Sequence, residues 1–233
     1  MQQQLTDRVV ILTGAEGIVG QAVLAELAAR GALVAMVDRA PAGSPAAATA
    51  AAMRLNGIDL GDPAAASGMV ERVVKKLGRI DGLVNVAGGF AWEPAASGSI
   101  ETWDRMYQIN LRTVVVTTQA VLPKMLEHGS GRIVNVGAAA ALQAGKGMAA
   151  YAASKSGVAR LTEGLAEELK DQGINVNAVL PTIIDTPTNR KDMPDDDPAR
   201  WVGPDKLAAV IAFLLSDDAS AITGALLPVR GRV

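Results

Sequence analysis

A strand–turn–helix–strand pattern near the N-terminus constrains the fold of this chain most strongly. A first apolar run, Val9–Thr13, leads directly into the glycine-rich turn Gly14–Gly20. Apolar residues then recur at helical spacing up to Gly31, and a second apolar run, Leu33–Val37, ends on Asp38. A βαβ unit closed by an acidic residue is the context in which a glycine-rich turn binds a dinucleotide. The alternative is a turn without a ligand, in a chain that contains 24 glycines.

The alternation of apolar runs and helical segments continues along the chain. Strands are predicted near 8–13, 32–38, 54–58, 80–86, 131–137, 174–180 and 225–229, and helices near 18–30, 63–78, 102–127, 148–172 and 204–216. Most strand segments are continuously apolar, as in a sheet that helices cover on both faces. The sequence therefore predicts an α/β fold, a doubly wound parallel sheet (Rossmann fold) of about seven strands, in one domain spanning 1–233.

Two segments interrupt this alternation. The segment 40–52 is rich in Ala, Pro and Gly and leaves room only for a shortened second crossover helix. The segment 185–201 is rich in Pro, Asp and Asn, lacks periodicity and follows a strand at the predicted ligand-binding edge. We predict that 185–201 is a substrate lid, and the alternative is an ordinary solvated loop.

Composition narrows the classes of partner. The chain is 49% hydrophobic and 20% charged, which excludes wholesale disorder, and its net charge of -2 gives no reason to expect nucleic acid or an anionic membrane as partner. No apolar run has the length of a membrane span. Without cysteine, and with His128 as the one histidine, no metal site is expected. We expect a cytoplasmic protein that binds small molecules.

The glycine turn and the acid that ends the second apolar run predict which dinucleotide binds. The turn residues predicted to contact it are Gly14, Gly17, Ile18 and Gly20. Asp38 can accept hydrogen bonds from the adenosine ribose and would repel a 2′-phosphate, and Glu16 adds a second negative charge. Arg39 favours NADP(H) instead, because its guanidinium could bind the 2′-phosphate. NAD(H) is therefore the expected cofactor, with NADP(H) as a possible one.

Tyr151 and Lys155 form a Y-x-x-x-K pair on the predicted helix near 148–172. Residues i and i+4 lie on one face of a helix, so the phenol and the ammonium can point at one ligand. A nearby ammonium favours phenolate, and we expect it to lower the pKa of Tyr151. Tyr151 is therefore a candidate proton donor for reduction of a polar double bond.

Taken in order, these motifs resemble the short-chain dehydrogenase/reductase family over nearly the whole chain. The resemblance rests on the glycine turn, Asn85–Gly88, Asn110, Tyr151 with Lys155, and Pro181–Thr186. It implies that Tyr151 is the acid/base and that Lys155 binds the nicotinamide ribose and lowers the pKa of Tyr151. It further implies that Asn110 anchors a water that relays protons to Lys155.

The same resemblance implies further cofactor contacts and an assembly. Adenine would contact Asp59 and Leu60, the loop after the fourth strand would pack beside the cofactor through Asn85, Ala87 and Gly88, and the carboxamide would be held by Pro181, Ile184 and Thr186. The long helices near 102–127 and 148–172 commonly form a subunit contact in this family, so a homodimer or homotetramer is expected.

Two departures from the family pattern bear on function. Ile18 stands where a glycine is usual in the turn. Ala138 stands thirteen residues before Tyr151, where the family places a catalytic serine, and 136–142 contains no hydroxyl. That serine normally donates a hydrogen bond to the substrate oxygen, and removal of one such donor typically costs about a hundredfold in rate.

The dihydropteridine reductase branch of the family also lacks the serine. Its motifs resemble Val86–Phe90, Gly137–Leu142 and Leu180–Pro194, followed by Trp201. This resemblance implies an NADH-dependent reduction of a conjugated or quinonoid ring such as a dihydropterin. Such a ring is already electron-poor and needs less polarisation than a ketone.

Two other functions remain open. One is an ordinary alcohol/ketone dehydrogenase, such as a 3-oxoacyl reductase, in which Gln143 or water replaces the serine. The other is a non-catalytic dinucleotide-binding protein. The residues predicted to contact substrate are Phe90, Trp92, Gln143, Met148 and Trp201. For Trp92 and Trp201 the alternative is packing in a subunit contact or at the base of the lid.

Overall fold

All strands that the structure describes belong to one parallel sheet. The computed structural model describes residues 4–41 and 50–233, so the predicted crossover helix within 40–52 lies largely outside the described residues. The strands are β1 (Val9–Thr13), β2 (Leu33–Val37), β3 (Met53–Leu55), β4 (Gly82–Asn85), β5 (Gly131–Val136), β6 (Ile174–Pro181) and β7 (Leu226–Val229). Their order across the sheet is β3-β2-β1-β4-β5-β6-β7, and every neighbouring pair is parallel.

Helices cover both faces of this sheet. They are α1 (Ile18–Ala29), α2 (Pro63–Leu77), α3 (Ile100–Met106), α4 (Thr113–His128), α5 (Ala149–Leu169), α6 (Pro187–Asp192) and α7 (Pro204–Leu215). Alternate residues of β1 point to opposite faces: Val10 and Leu12 pack with α1 and α7, whereas Val9 and Ile11 pack with α2 and α4. Two apolar cores result, and the predicted doubly wound fold is confirmed.

The order of the strands reverses between β1 and β4, and this switch point fixes where a ligand can bind. The chain proceeds from β1 outward to β2 and β3, and then returns to place β4 on the other side of β1. Thr13, at the end of β1, accepts hydrogen bonds at Oγ1 from the backbone N–H of Val86 (3.1 Å) and of Ala87 (3.2 Å). The loops after β1 and β4 are thereby held together at the crevice where doubly wound sheets bind ligands.

Two local features differ from the sequence expectation. The single helix predicted near 102–127 comprises α3, a π-helical segment Tyr107–Arg112 and α4. This wider turn contains Asn110, whose buried side chain bonds outside the helix, and such insertions recur at functional sites. The second difference is α6, inside the predicted lid. Thr186 caps it by accepting from the Asn189 N–H (3.1 Å), and Pro187 begins it.

Among the described residues, no helix is both long enough and apolar enough to cross a membrane.

Candidate active site

A cleft of about 2040 Å³ runs along the carboxyl ends of the strands. Its walls come from the glycine turn, the loops after β2, β4, β5 and β6, and the start of α5. A pocket for one drug-sized ligand is typically about 300–1,000 Å³. The cleft therefore has room for an extended dinucleotide together with a substrate.

The glycine turn brings the start of α1 into close contact with β1 and β4. Gly14 has φ +62°, and a Cβ added there would lie 2.7 Å from the Ala87 nitrogen. A Cβ added at Gly20 would lie 2.2 Å from the Gly14 oxygen. At Gly17, by contrast, φ is -73° and an added Cβ would meet only the Gly14 oxygen, at 3.4 Å. Close packing thus depends on Gly14 and Gly20, while Ile18 lines the cleft in place of the usual glycine.

The N-terminus of α1 suits a pyrophosphate. Gly17 is its N-cap and provides no side-chain hydrogen bond to the first turn. The first backbone N–H groups of a helix have no intrahelical partner and carry the positive end of the helix dipole. The turn lines the cleft, and the residues present therefore fit the phosphates of a dinucleotide.

Asp38 is fixed at the adenosine end of the cleft by two backbone amides. Its Oδ2 accepts from the Glu16 N–H (2.9 Å) and its Oδ1 from the Ala40 N–H (2.9 Å). Both oxygens retain lone pairs for the hydroxyls of a ribose. Asp38 and Arg39 both line the cleft, as the sequence predicts for a residue pair that selects the cofactor.

The role expected of Glu16 needs a correction. The sequence counts Glu16 as a second negative charge that disfavours a 2′-phosphate, but in the structure Glu16 forms a salt bridge with Arg54. Its Oε1 also accepts from Asn56 Nδ2 (3.1 Å). Parallel pairing of β3 with β2 brings Arg54 beneath the turn. No local pattern reveals this pair, because 38 residues separate its members.

The remaining predicted cofactor residues divide into two groups. The cleft is lined by Asp59, Leu60, Ala87, Gly88, Pro181, Ile184 and Thr186. Asn85, however, is buried in the sheet, where its Nδ2 donates to Asn135 Oδ1 (2.9 Å) on the adjacent strand. The placement of Asn85 beside the cofactor is therefore wrong, since a buried amide inside a sheet needs a polar partner and finds one there.

Tyr151 and Lys155 lie one turn apart near the start of α5, and both line the cleft. Lys155 is buried, and its Nζ donates to the Val136 carbonyl at the end of β5 (2.8 Å). A Cβ added at Gly88 would lie 3.4 Å from this Nζ and 2.5 Å from Asn110 Oδ1. Glycine at position 88 therefore leaves room for the Asn110 amide, whereas the added Cβ would make only an ordinary contact with the lysine.

Burial dominates the pKa values of this pair. It raises the pKa of Tyr151 to about 12 and lowers the pKa of Lys155 to about 8. The lowered pKa expected for Tyr151 is therefore wrong in this structure, because loss of solvent around the phenol raises its pKa. Around Tyr151 the chain supplies apolar groups, among them Ala138 and Ala152. At neutral pH the phenol carries its proton and is ready to donate it.

Asn110 connects the loop after β4 to α5. Its Oδ1 accepts from the Gly89 N–H, and its Nδ2 donates to the Gly89 carbonyl, both at 3.0 Å. The same Nδ2 donates to Ser154 Oγ (3.1 Å), and Ser154 Oγ donates to the Tyr151 carbonyl (2.7 Å). Asn110 thus positions the helix turn that carries Tyr151, and its predicted water relay stays a prediction. Sequence reasoning missed Ser154, although it lies between Tyr151 and Lys155.

Aromatic side chains form the end of the cleft where the sequence predicts the substrate. Phe90 contacts the Tyr151 ring edge-on, with centroids 5.0 Å apart and an interplanar angle of 79°. The Trp92 Nε1 donates to the Lys146 carbonyl (2.9 Å). Its indole covers Gly147, where an added Cβ would lie 2.4 Å from the ring. Phe90, Trp92 and the predicted substrate residues Gln143 and Met148 all line this end.

Trp201 is the exception among the predicted substrate residues. Its side chain is 7% exposed and does not line the cleft. The Val202 N–H donates to the Ile183 carbonyl (2.9 Å), and this pairing holds the segment against the chain after β6. Burial removes a large apolar area from water, which favours an interior position for an indole. The alternative expectation, packing at the base of the predicted lid, matches this position.

Ala138 lines the cleft directly after β5 and packs with Ala140 and Ala152. A methyl group therefore stands where the family pattern leads one to expect a hydroxyl donor.

The predicted lid contributes one wall of the cleft through α6 and the residues around it. Thr186, Asn189 and Met193 line the cleft. Arg190 donates to both carboxylate oxygens of Asp185, at 2.6 and 2.8 Å, which braces the segment from outside. Its position over the cleft agrees with a lid, while its opening and closing stay a prediction.

These positions define a class of protein, an oxidoreductase that binds a nicotinamide dinucleotide along the carboxyl edge of a doubly wound sheet. The family model described as short chain dehydrogenase matches residues 8–197. The chain therefore belongs to the short-chain dehydrogenase/reductase family, whose members are oxidoreductases that use NAD(P).

Relatives over nearly the full length support this membership. The chain is 36% identical to D-threitol dehydrogenase of Mycolicibacterium smegmatis, over 98% of this chain and 93% of the relative. It is 34% identical to levodione reductase of Leifsonia aquatica, over 98% and 94%. It is 32% identical to 3-oxoacyl-[acyl-carrier-protein] reductase FabG of Escherichia coli, over 96% of each.

Solved structures agree with the sequence relatives. The crystal structure of an NAD+-bound xylitol dehydrogenase superposes with a TM-score of 0.91 at 28% identity, over 98% of this chain and 99% of that one. The crystal structure of levodione reductase superposes with a TM-score of 0.89 at 33% identity, over 97% of each chain.

Proposed function

We propose that this protein is an NAD(H)-dependent oxidoreductase that interconverts a secondary alcohol and its ketone. The observation that carries the proposal is that Tyr151 and Lys155, one helix turn apart near the start of α5, both line the cleft. By their names, relatives of this chain act on a polyol, a dione and a 3-oxoacyl group. The alcohol/ketone alternative thus has more support than the dihydropterin-type substrate.

The residues of the cleft suggest which group performs each part of the reaction. A nicotinamide cofactor held in the cleft would supply the hydride that reduces the carbonyl carbon. Tyr151 donates its proton to the carbonyl oxygen as negative charge develops there, and in the reverse direction it accepts that proton. Lys155 holds a positive charge beside the phenol and stabilises the phenolate left behind. Apolar and aromatic walls, including Phe90, exclude water from this exchange.

The preference for NAD(H) rests on Asp38. Its carboxylate is held by two backbone amides at the end of β2, where the ribose of an adenosine is expected. A 2′-phosphate would meet this negative charge, whereas ribose hydroxyls can donate to it. Titration of NADH and NADPH by protein fluorescence tests the preference, and tighter binding of NADPH would contradict it.

A second candidate substrate is a conjugated or quinonoid ring, and Ala138 is the observation that favours it. With a methyl group at this position, the described cleft lacks the usual hydroxyl beside Tyr151. A ring that gains conjugation on hydride addition needs less help at an oxygen atom. The flat aromatic surfaces of Phe90 and Trp92 would suit such a ring.

One experiment separates these substrates. NADH oxidation is measured with butane-2,3-dione, a β-ketoester, a quinonoid dihydropterin and no substrate, in the wild type and in Ala138→Ser. One oriented donor to developing charge is worth a few kcal/mol, so the serine should accelerate ketone reduction at least about tenfold. It should leave reduction of the ring nearly unchanged. Ala139→Ser adds a hydroxyl at the next residue and serves as the matched control.

The outcomes discriminate among the functions. Ketone reduction by the wild type, accelerated by Ala138→Ser but not by Ala139→Ser, supports the alcohol/ketone proposal. Turnover of the dihydropterin alone supports the second candidate. If NADH binds but neither variant turns over any of these substrates, the non-catalytic alternative gains support.

A further inference from the structure

Glu16, Arg54 and Asn56 form a polar group at the adenosine end of the cleft, which we call the Glu16 cluster. One carboxylate oxygen, Glu16 Oε1, accepts from Arg54 Nε (2.9 Å), from Arg54 Nη2 and from Asn56 Nδ2 (3.1 Å). Asn56 Nδ2 also donates to the Ala40 carbonyl (2.9 Å). The cluster therefore ties together the glycine turn, the residues after β2 and the end of β3.

Within the cluster, Glu16 stands between the cleft and Arg54. Glu16 lines the cleft and Arg54 does not, although only 10% of the Glu16 side chain and 19% of the Arg54 side chain are exposed. Glu16 also touches the cofactor-selecting acid, because its N–H donates to Asp38 Oδ2 (2.9 Å). A fork of two guanidinium N–H groups, the geometry that binds phosphate well, is thus directed at Glu16.

We propose that Glu16 is a cofactor-selectivity residue that acts by holding Arg54 away from a 2′-phosphate. The inference rests on the proposed use of NAD(H) and explains part of that preference. With Glu16 present, a 2′-phosphate faces the Asp38 carboxylate, while the nearby guanidinium already has a partner. Without Glu16, the Arg54 guanidinium has no such partner, and a phosphate at the cleft wall can take the place of the carboxylate.

The Glu16 charge could also act by simple repulsion, and a double-mutant cycle separates the two effects. The variants are Glu16→Ala, Arg54→Met and the double variant, with Arg39→Met combined with Glu16→Ala as the matched control. Binding of 5′-AMP and of adenosine 2′,5′-bisphosphate is measured by calorimetry, so the readout does not depend on turnover. The two ligands differ only in the 2′-phosphate.

We expect Glu16→Ala to strengthen binding of the bisphosphate by about tenfold, the scale of a charge-assisted contact, with binding of 5′-AMP changed less than about threefold. Adding Arg54→Met should abolish this gain, whereas adding Arg39→Met should leave most of it. Arg54→Met alone should weaken bisphosphate binding, because it removes the positive charge that the Glu16 carboxylate faces. If Glu16→Ala does not fold, Glu16→Gln enters the same cycle.

A gain of equal size in Glu16→Ala and in the double variant would overturn the inference, since repulsion alone would then explain it. No gain in Glu16→Ala, or a gain lost with Arg39→Met and kept with Arg54→Met, would overturn it too. If the wild type binds neither 5′-AMP nor NADH, the proposed function itself fails, and this result is distinct from the other two.

Discussion

The proposed chemistry depends on the phenolic proton of Tyr151. Burial raises the pKa of Tyr151 to about 12, so the phenol is a proton donor at neutral pH. Tyr151→Phe removes that proton and keeps the ring that contacts Phe90. We expect kcat to fall at least about a hundredfold, the usual contribution of a positioned general acid. The Kd for NADH should change less than about threefold, as measured by fluorescence titration; a variant with near-normal kcat would exclude Tyr151 as the acid.

Lys155 is held in the interior at a cost to stability. Burial lowers its pKa from 10.5 to about 8, so keeping it charged at pH 7 costs about 3 kcal/mol. The hydrogen bond to the Val136 carbonyl offsets about 1 kcal/mol of that cost. Lys155→Met should therefore increase the free energy of unfolding at pH 7 by about 2 kcal/mol while it abolishes turnover. Urea unfolding with a parallel activity assay measures both.

The same lysine predicts how stability depends on pH. Between pH 8 and 10.5 an unfolded lysine is protonated while the buried Lys155 is largely neutral, so the unfolded state binds more protons. The free energy of unfolding contributed by this residue therefore rises with pH across that window. We expect the advantage of Lys155→Met to shrink between pH 7 and 9.5, a range that lies below the raised pKa of Tyr151. An advantage that stays constant would mean that the pKa of Lys155 is not lowered.

At the scale of elements, the positions of the glycine turn differ in how well they tolerate a side chain. Gly20→Ala places a Cβ against the Gly14 oxygen, at 2.2 Å, and such overpacking costs roughly 1–3 kcal/mol. Gly17→Ala meets only a contact at 3.4 Å and loses a modest N-cap preference, less than about 1 kcal/mol. Urea unfolding should rank Gly20→Ala as clearly less stable than Gly17→Ala. The reverse order would show that the turn tolerates crowding and that Gly17 is needed for another reason.

Elements with long apolar periodicity could be predicted from sequence, and those fixed by single side chains could not. The helix predicted near 204–216 is α7 (Pro204–Leu215), because its apolar residues repeat where the core needs them. The π-helical segment Tyr107–Arg112 depends on Asn110 bonding to Gly89, 21 residues away. The helix α6 has six residues, Pro187 and five polar ones, and begins after one threonine cap, so it is too short for periodicity to reveal.

The residues of the site likewise divide into those that could be found from the sequence and those that could not. Tyr151, Lys155 and Asp38 could be found because each stands in a local motif whose spacing reflects one element. The Arg54 partner of Glu16 could not be found, since it depends on the order of strands in the sheet. The sequence also does not show which large side chains are buried in the folded chain. The predicted contact between Trp201 and the substrate is wrong for this reason, because Trp201 is buried. The pKa of Tyr151 was misjudged for a related reason, because burial is a property of the whole fold.

At the scale of the whole molecule, we predict that two copies of the chain associate through α3 and the π-helical segment Tyr107–Arg112 that follows it. Ile100, Trp103 and Tyr107 are exposed large apolar residues spaced three and four apart, so they form one stripe. An apolar stripe of this kind is typical of a subunit contact. Light scattering after size-exclusion chromatography should give the mass of two or four chains. Trp103→Glu should lower that mass.

Phe213→Glu, at an exposed apolar position on α7, is the control for this prediction. If it reduces the mass while Trp103→Glu does not, α3 and the π-helical segment are not the subunit contact. A wild type that runs as a single chain would contradict the prediction outright.

The contact between Trp92 and Gly147 restricts the order in which related chains can diverge. The indole occupies the space of a side chain at position 147, where φ is also +72°. If Gly147 mutated first, the new side chain would displace the Trp92 indole and break its hydrogen bond to the Lys146 carbonyl. If Trp92 were replaced first, Gly147 would remain in place without a clash. In an alignment of descendants, side chains at 147 should therefore occur only in lineages that had already lost the tryptophan.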